Sequence, residues 1–206
     1  MGRIHERALA AGAVRRASFC EGRVKPKRRR CFAKWARRWK YGARARRVGE
    51  LVQVDHMTYT ADGRTLKEFR AVCPVSKFMV TRVYSRATAG NARRFLIDPV
   101  GTLPFPLRSL QVDGGSEFMA EFENTRERLG VPLHVLPARR PQWNGVVERT
   151  NRSARAEFWS LYNGPLTVAE VARDLARYEF FFNFERPHAS LAYKTSNEYL
   201  VDLEAA

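Results

Sequence analysis

The stretch VPLHVLPARRPQWNGVVERTNRSARAE, residues 131–157, decides the fold of this chain. Its first six residues, 131–136, are apolar and β-prone, which predicts a short strand. Pro137 and Pro141 interrupt regular structure after that strand. The next residues, Asn144 and glycine, predict the start of a helix, with Asn capping free backbone N–H groups. The stretch therefore reads as a strand, a proline-bounded loop and a helix.

Helical spacing in the second half of this stretch places charged side chains together. Glu148, Arg152 and Arg155 stand at positions i, i+4 and i+7, so they share one face of the predicted helix. One carboxylate among arginines suits a place where a metal ion and a phosphate backbone meet.

Further strands and helices are predicted on either side. Three β-rich runs with short links indicate an antiparallel meander, and a fourth strand ends before an Asp-Gly-Gly turn. The predicted strands cover 51–60, 65–76, 78–85, 107–112 and 131–136, and the predicted helices cover 88–97, 117–129, 146–157 and 167–182. The sequence therefore predicts an α/β fold with a mixed five-stranded sheet, three antiparallel strands and then two more, flanked by helices.

The positive charge lies almost entirely at the N-terminus. The formal net charge is +16, and residues 1–50 hold 17 Lys and Arg against 3 Asp and Glu. We therefore expect a basic, partly disordered arm over 1–47, a nearly neutral domain over 48–200, and a short end over 201–206. Such a dense charge run favours a polyanion partner through counterion release, although a solvated tail has the same composition.

The arm contains a basic cluster followed by interleaved aromatic and cationic residues. Trp35 and Trp39 stand among lysines and arginines, a pattern that suits either a nucleic acid surface or docking of a short helix onto the domain. The cluster residues expected to contact DNA are Lys25, Lys27, Arg28, Arg29 and Arg30.

Composition excludes several classes of protein. No apolar run approaches the roughly 18 residues that a membrane span needs, and the basic N-terminus has no apolar signal segment. The three cysteines, Cys20, Cys31 and Cys73, are widely spaced. They indicate a reducing compartment, no disulfide framework and no structural zinc site.

Three acidic residues lie at ends or interruptions of the predicted elements. Asp55 interrupts an apolar strand, Asp113 follows the fourth strand, and Glu148 falls in the first turn of a helix. Each has an ordinary explanation: Asp55 as a hydrogen-bond acceptor, Asp113 as a turn residue, and Glu148 as a complement to the helix dipole. Strands one and four can be neighbours in this order of elements, which would bring all three together.

Several motifs resemble the integrase core (rve) of insertion-sequence transposases and retroviral integrases. They are VDHM at 54–57, VDGGSEF at 112–118, PQWNGVVERTNR at 141–152 and the tail NFERPHASLAYKTSNEYL at 183–200. Glu148 follows Asp113 by 35 positions, which fits the family signature. The resemblance covers about 48–200 and implies an RNase H-like fold with an Asp-Asp-Glu metal site.

The resemblance also implies a mechanism and cofactors. Two Mg²⁺ or Mn²⁺ ions would be bridged by Asp55, with Asp113 and Glu148 each holding one. Water would cleave the 3′ end of a DNA element, and the freed 3′-OH would attack target DNA, as in an Asp-Asp-Glu polynucleotidyl transferase. Joining two DNA ends implies a homo-oligomer on DNA, in the cytoplasm and associated with the nucleoid.

Residues around the helix are expected to contact DNA. Arg152 and Arg155 would hold phosphates, and Arg139 and Arg140 either touch DNA or are plain surface charge. Trp143 either stacks on a base or covers the core. His56 should point away from Asp55 and serve a structural role, because successive strand residues face opposite sides.

The sequence departs from the family at two places. Gly114 stands where most relatives have Asn, and no helix-turn-helix DNA reader precedes the core. A truncated copy, or one product of a split reading frame that works with a separate helix-turn-helix subunit, would explain the second departure. Two other functions stay open: an RNase H-like nuclease that does not join DNA, and an inactive or truncated DNA-binding remnant of a mobile element.

Overall fold

A computed structural model describes residues 44–98, 100–136 and 144–205 of the chain. Its centre is one five-stranded sheet with the strand order β3-β2-β1-β4-β5. The strands are β1 (Val52–Ala61), β2 (Arg64–Val72), β3 (Met79–Tyr84), β4 (Leu110–Val112) and β5 (Leu133–Val135).

The pairing of the strands confirms the predicted mixed sheet. Strand β1 pairs antiparallel with β2, and β2 pairs antiparallel with β3. Strand β4 pairs parallel with both β1 and β5. The tight turn between β1 and β2 places Asp62 at φ 50° and Gly63 at φ 71°, a left-handed conformation that Asp and Gly tolerate.

Helices cover both sides of the sheet. The α-helices are α1 (Ala89–Ile97), α2 (Glu121–Arg128), α3 (Gly145–Ala154), α4 (Val168–Phe180) and α5 (Ser196–Glu204). Helices α3 and α4 continue directly into the π-helical segments Arg155–Trp159 and Phe181–Glu185. Within the described residues, no helix is long and apolar enough to cross a membrane.

Two predicted helix starts are confirmed, and two differ. The Thr88 and Thr167 hydroxyls accept backbone N–H groups at the starts of α1 and α4, as predicted. The Asn144 side chain makes no such bond at the start of α3. The helix predicted over 117–129 is split into a 3₁₀ turn, Ser116–Phe118, and α2, because Ala120 adopts φ 55° and breaks the helix between them.

Alternation along the strands gives the sheet two different faces. One face, here called the aromatic face, carries Val52, Val54 and Phe69 and packs against α1 and α2. The opposite face, here called the polar face, carries Gln53, Asp55, Glu68, Arg70 and Gln111, as well as apolar residues such as Met57 and Met79 that pack against α3 and α4. The three predicted acidic residues therefore belong to the polar face or to the helix that covers it.

Candidate active site

The register of the parallel strands brings Asp55 and Asp113 side by side. Val52 pairs with Leu110, and Gln53 pairs with Gln111. Continuing this register by two residues places Asp55 beside Asp113, which directly follows β4. Residues in register on neighbouring strands face the same side of a sheet, so both carboxylates lie on the polar face.

Helix α3 brings Glu148 to the same place. The backbone N–H of Val147 donates to Oε1 of Gln53 over 3.1 Å. The Gln53 Nε2 in turn donates to Oε1 of Gln111 over 2.7 Å, so a pair of buried amides docks the start of the helix onto β1 and β4. Glu148 is the acidic residue in the first turn of this helix.

Asp55 is held by two hydrogen bonds and surrounded by negative charge. Its Oδ1 accepts the backbone N–H of His56 over 2.8 Å, and its Oδ2 accepts Nδ2 of Asn151 over 2.9 Å. Burial, followed by the charge of Asp113 and more weakly that of Glu148, raises the pKa of Asp55 to about 6. An ionised Asp55 therefore gains from any cation bound nearby.

Asp113 has a similar environment. Burial raises the pKa of Asp113, although the backbone N–H of Gly115 donates to its Oδ1 over 2.9 Å and opposes that effect. Among residues 44–98, 100–136 and 144–205, neither Asp55 nor Asp113 nor Glu148 forms an ion pair with a Lys or Arg side chain. Within those ranges, the charge of His56 partly offsets the mutual repulsion of the carboxylates.

The carboxylates supply the oxygen ligands that Mg²⁺ and Mn²⁺ prefer, and their mutual repulsion fits a cation site. However, no three His, Cys, Asp or Glu side chains of the described residues stand close enough together to hold a metal ion. The donor set therefore fits a hard divalent cation in chemistry, and the side chains would have to move closer to enclose one.

A cavity of about 260 Å³ opens beside Asp55. Its wall is formed by Asp55, His56, Met57, Glu148, Asn151, Arg152 and Arg155. The predicted shared face of Glu148, Arg152 and Arg155 is thus confirmed, and both arginines are exposed. The cavity therefore places the carboxylates of Asp55 and Glu148 next to the exposed side chains of Arg152 and Arg155, an arrangement that can hold a phosphodiester beside cation ligands.

His56 contacts the opposite face, as its position on the strand predicts. Its ring stacks on Phe69 with centroids 5.4 Å apart, and its Nδ1 lies 2.9 Å from Oε1 of Glu117. The hydrogen bond to Glu117 raises the pKa of His56. The pair ties β1 to the turn after Asp113.

Sequence reasoning missed the amides that organise the site. Asn151 stands three positions after Glu148, and this spacing places it on the face that binds Asp55. Gln53 and Gln111 each stand two positions before an aspartate, so they share its side of the strand. The two-residue offset from each aspartate could therefore have predicted that these glutamines lie on the same face of the sheet as the acidic residues.

The remaining predicted DNA contacts are not covered by the structure. Lys25, Lys27, Arg28, Arg29, Arg30, Arg139, Arg140 and Trp143 lie outside the described residues. Their roles stay predictions.

Comparison with known proteins identifies the same family that the motifs resemble. The model of the integrase core domain family matches residues 129–195. The candidate integrase ORF3 of Spiroplasma virus SpV1-C74 is 26% identical over 139 residues, which cover 59% of this chain and 38% of that protein. The chain thus spans about two fifths of the length of this curated relative.

Solved structures with the same fold are retroviral integrases. The catalytic core domain of BIV integrase superposes with a TM-score of 0.60 at 21% identity, covering 76% of this chain and 97% of that one. The simian T-cell lymphotropic virus intasome in complex with PP2A regulatory subunit B56 gamma gives a TM-score of 0.65 at 18% identity, covering 96% and 67%.

A third structure, the HTLV-2 integrase catalytic core domain in complex with magnesium in a trimeric form, gives a TM-score of 0.57 at 16% identity, covering 72% of this chain and 94% of that one. These likenesses establish the fold as RNase H-like, as the motifs implied. The family match over residues 129–195 and the curated relative are likewise to integrases.

Proposed function

We propose that this chain is the catalytic core of a transposase or integrase that cleaves the 3′ ends of a DNA element and joins them to target DNA. The observation that carries the proposal is the meeting of Asp55 and Asp113 on adjacent parallel strands, under a helix whose first turn presents Glu148. The raised pKa values of both aspartates are typical of functional sites, and a bound cation would stabilise their ionised forms.

In this proposal the three carboxylates hold two Mg²⁺ or Mn²⁺ ions. Asp55, on which the charges of both Asp113 and Glu148 act, would hold the ions together with those two residues. When bound, two such metal ions activate an attacking hydroxyl and stabilise the leaving oxygen of an in-line displacement. Asn151 would keep the Asp55 carboxylate oriented through its hydrogen bond.

Positively charged residues would position the DNA. Arg152 and Arg155 line the cavity and would hold the phosphates on either side of the scissile bond. The proposal assigns further DNA contacts to the arm over 1–47 and to Arg139, Arg140 and Trp143. It also places the chain on nucleoid DNA as a homo-oligomer, with a separate helix-turn-helix subunit as a further partner.

Nicking of supercoiled plasmid by the purified chain in Mn²⁺ tests the proposal. Asp113→Asn should lower the nicking rate about 10³-fold, because losing a metal ligand removes several kcal/mol of transition-state stabilisation. Asp62→Asn is the matched control, since Asp62 is exposed in the turn between β1 and β2 and should leave the rate unchanged. Equal nicking by the Asp113 variant and the wild type would contradict the site assignment.

A second assay separates joining from cutting. Labelled duplexes with free 3′-OH ends should become covalently attached to plasmid DNA, and Asp113→Asn should abolish this product. Nicking without any joined product would instead indicate a nuclease. DNA binding that is salt-dependent but indifferent to metal, without nicking, would indicate a DNA-binding remnant.

A further inference from the structure

A fully buried ion pair lies on the polar face beside Asp55. Arg70 is the cross-strand neighbour of Asp55, and Glu68 stands two residues earlier on the same side of β2. Both side chains are 0% exposed, and the guanidinium of Arg70 bonds Oε1 of Glu68. Burying two charges requires good pairing and further hydrogen bonds, so the partners of this pair indicate its role.

Arg70 links β2 to the helix that carries Glu148. Its Nη1 donates to the backbone carbonyl of Thr150 over 2.7 Å, within α3. The next residue, Asn151, donates to Asp55. The guanidinium therefore contacts α3 at the turn that also touches the site.

Glu68 extends the same link to the far end of the helix. Its Oε1 also accepts the Thr81 hydroxyl over 2.7 Å, and its Oε2 accepts Nε1 of Trp159 over 2.5 Å. Trp159 is the last residue of the π-helical segment that continues α3. The ion pair thus fixes α3 and its extension at two points, while Gln53 fixes the start of the helix.

Stability alone does not explain such a pair. A buried ion pair often contributes no more to the free energy of unfolding than apolar residues of the same volume. Its hydrogen bonds are directional, however, whereas apolar contacts between a helix and a sheet permit sliding. The directional bonds of Arg70 and Glu68 all lead to the element that carries Glu148 or to the neighbouring strand β3.

We infer that Arg70, with Glu68 as its counter-charge, is a positioning residue that fixes α3 against the sheet. It thereby sets the distances of the Glu148 and Asn151 side chains from Asp55. The consequence for metal binding rests on the proposed function; the consequence for the helix does not. Arg70 touches no substrate in this assignment and acts only through α3.

The test compares three variants with the wild-type chain. Arg70→Lys keeps the charge opposite Glu68, but a single ammonium group replaces the planar fork that reaches both Glu68 and Thr150. Glu68→Leu/Arg70→Met removes both charges and keeps the volume filled. Arg82→Met is the matched control, because Arg82 lies on β3 and bonds Glu179 and the Thr81 carbonyl without contacting α3.

Hydrogen exchange of the α3 amides and Mn²⁺ binding to the DNA-free chain are measured for each variant. We expect Arg70→Lys and the double variant to unfold cooperatively, to exchange their α3 amides about tenfold faster, and to bind Mn²⁺ about tenfold more weakly. The metal concentration for half-maximal nicking should rise by the same factor, and Arg82→Met should match the wild type.

Unchanged α3 exchange and Mn²⁺ affinity in a folded double variant would overturn the inference. If the double variant does not fold, Arg70→Lys decides the question by the same measurements. Failure of the proposed function looks different: the wild type and Asp113→Asn would then nick equally, while α3 exchange would still report on positioning.

Discussion

The two faces of the sheet are packed by different chemistry. On the aromatic face, the contacts are between aromatic rings. The ring centroid of Phe69 lies 5.7 Å from that of Phe95 and 6.1 Å from that of Phe118, and the centroids of Phe118 and Phe122 are 5.3 Å apart. On the polar face, buried amides and charges connect the strands to α3 through named donors and acceptors. This contrast indicates that one side of the sheet supplies most of the stability and the opposite side fixes the position of α3.

This division follows from the nature of the two kinds of contact. Burial of apolar surface is favourable but non-directional, so an aromatic layer stabilises the sheet without fixing a helix to a fraction of an ångström. Hydrogen bonds are directional and costly to leave unmade, so a polar layer fixes positions and adds little net stability. Variants of the aromatic face should therefore change unfolding, and variants of the polar face should change metal binding.

The largest expected loss in the free energy of unfolding comes from a variant of the aromatic face. Phe69→Ala should lower the free energy of unfolding by about 3–5 kcal/mol, because the ring is fully buried and its removal leaves a cavity. Urea denaturation measures the loss. Phe180→Ala, at a side chain that is 55% exposed, is the control and should cost less than about 1 kcal/mol. Similar losses in both variants would contradict the assignment of stability to this face.

The next effect concerns the free edge of the sheet at β3. Asn183 accepts the backbone N–H of Met79 over 2.9 Å and donates to its carbonyl over 2.7 Å, in the place of a missing strand. Asn183→Ala should lower the free energy of unfolding by about 2–3 kcal/mol, since it leaves buried backbone groups unpaired. Asn91→Ala, whose side chain bonds the Arg86 carbonyl at an exposed position, serves as the control for thermal unfolding. A loss no larger than that of the control would show that water replaces the amide.

Periodicity and turn signals were enough to predict the five strands and the neighbourhood of the first and fourth strands. The antiparallel meander, the fourth strand beside the first and the helix bearing Glu148 all appear in the structure. These features depend on local patterns and on the few topologies that the order of elements permits. The RNase H-like fold followed from the resemblance and is confirmed by the solved structures.

The interior of the polar face was not predictable in the same way. In the stretch LKEFRAV, 66–72, Glu68 and Arg70 alternate with apolar residues, which is also the pattern of a solvent-facing side. Only the packing of α3 and α4 over that side buries them. The break at Ala120 was missed for a similar reason, because tertiary packing of the 3₁₀ turn overrides the helical period.

A smaller change in the free energy of unfolding is expected from Asp55. It tests whether the carboxylates of the polar face destabilise the chain in the absence of a bound cation. The pKa of Asp55 is raised from 3.8 to about 6, so the folded metal-free chain binds this proton more tightly than the unfolded chain. Its contribution is therefore favourable below about pH 4 and is lost as the pH rises through about 6. The loss amounts to about 1–2 kcal/mol after allowance for partial exposure.

Asp55→Asn should consequently stabilise the metal-free chain by that amount at pH 7.5 and hardly at all at pH 4. Thermal unfolding in the presence of a chelator measures the difference at both pH values. Added Mn²⁺ should raise the melting temperature of the wild type and not that of the variant. A variant that is less stable than the wild type at pH 7.5 would mean that the Asp55 carboxylate is already compensated within the protein.

The smallest expected change in Mn²⁺ affinity comes from Asn151, the hydrogen-bond donor to Asp55. Its amide donates to the Asp55 carboxylate, and a hydrogen bond to the charged form of an acid lowers its pKa. Asn151→Ala should therefore raise the pKa of Asp55 further and weaken Mn²⁺ binding about tenfold at pH 6, while at pH 8.5, where Asp55 is ionised in both proteins, the difference should shrink. Ser153→Ala on the same helix is the control. A deficit in Mn²⁺ affinity that is equal at both pH values would assign Asn151 to the placement of α3 rather than to the charge state of Asp55.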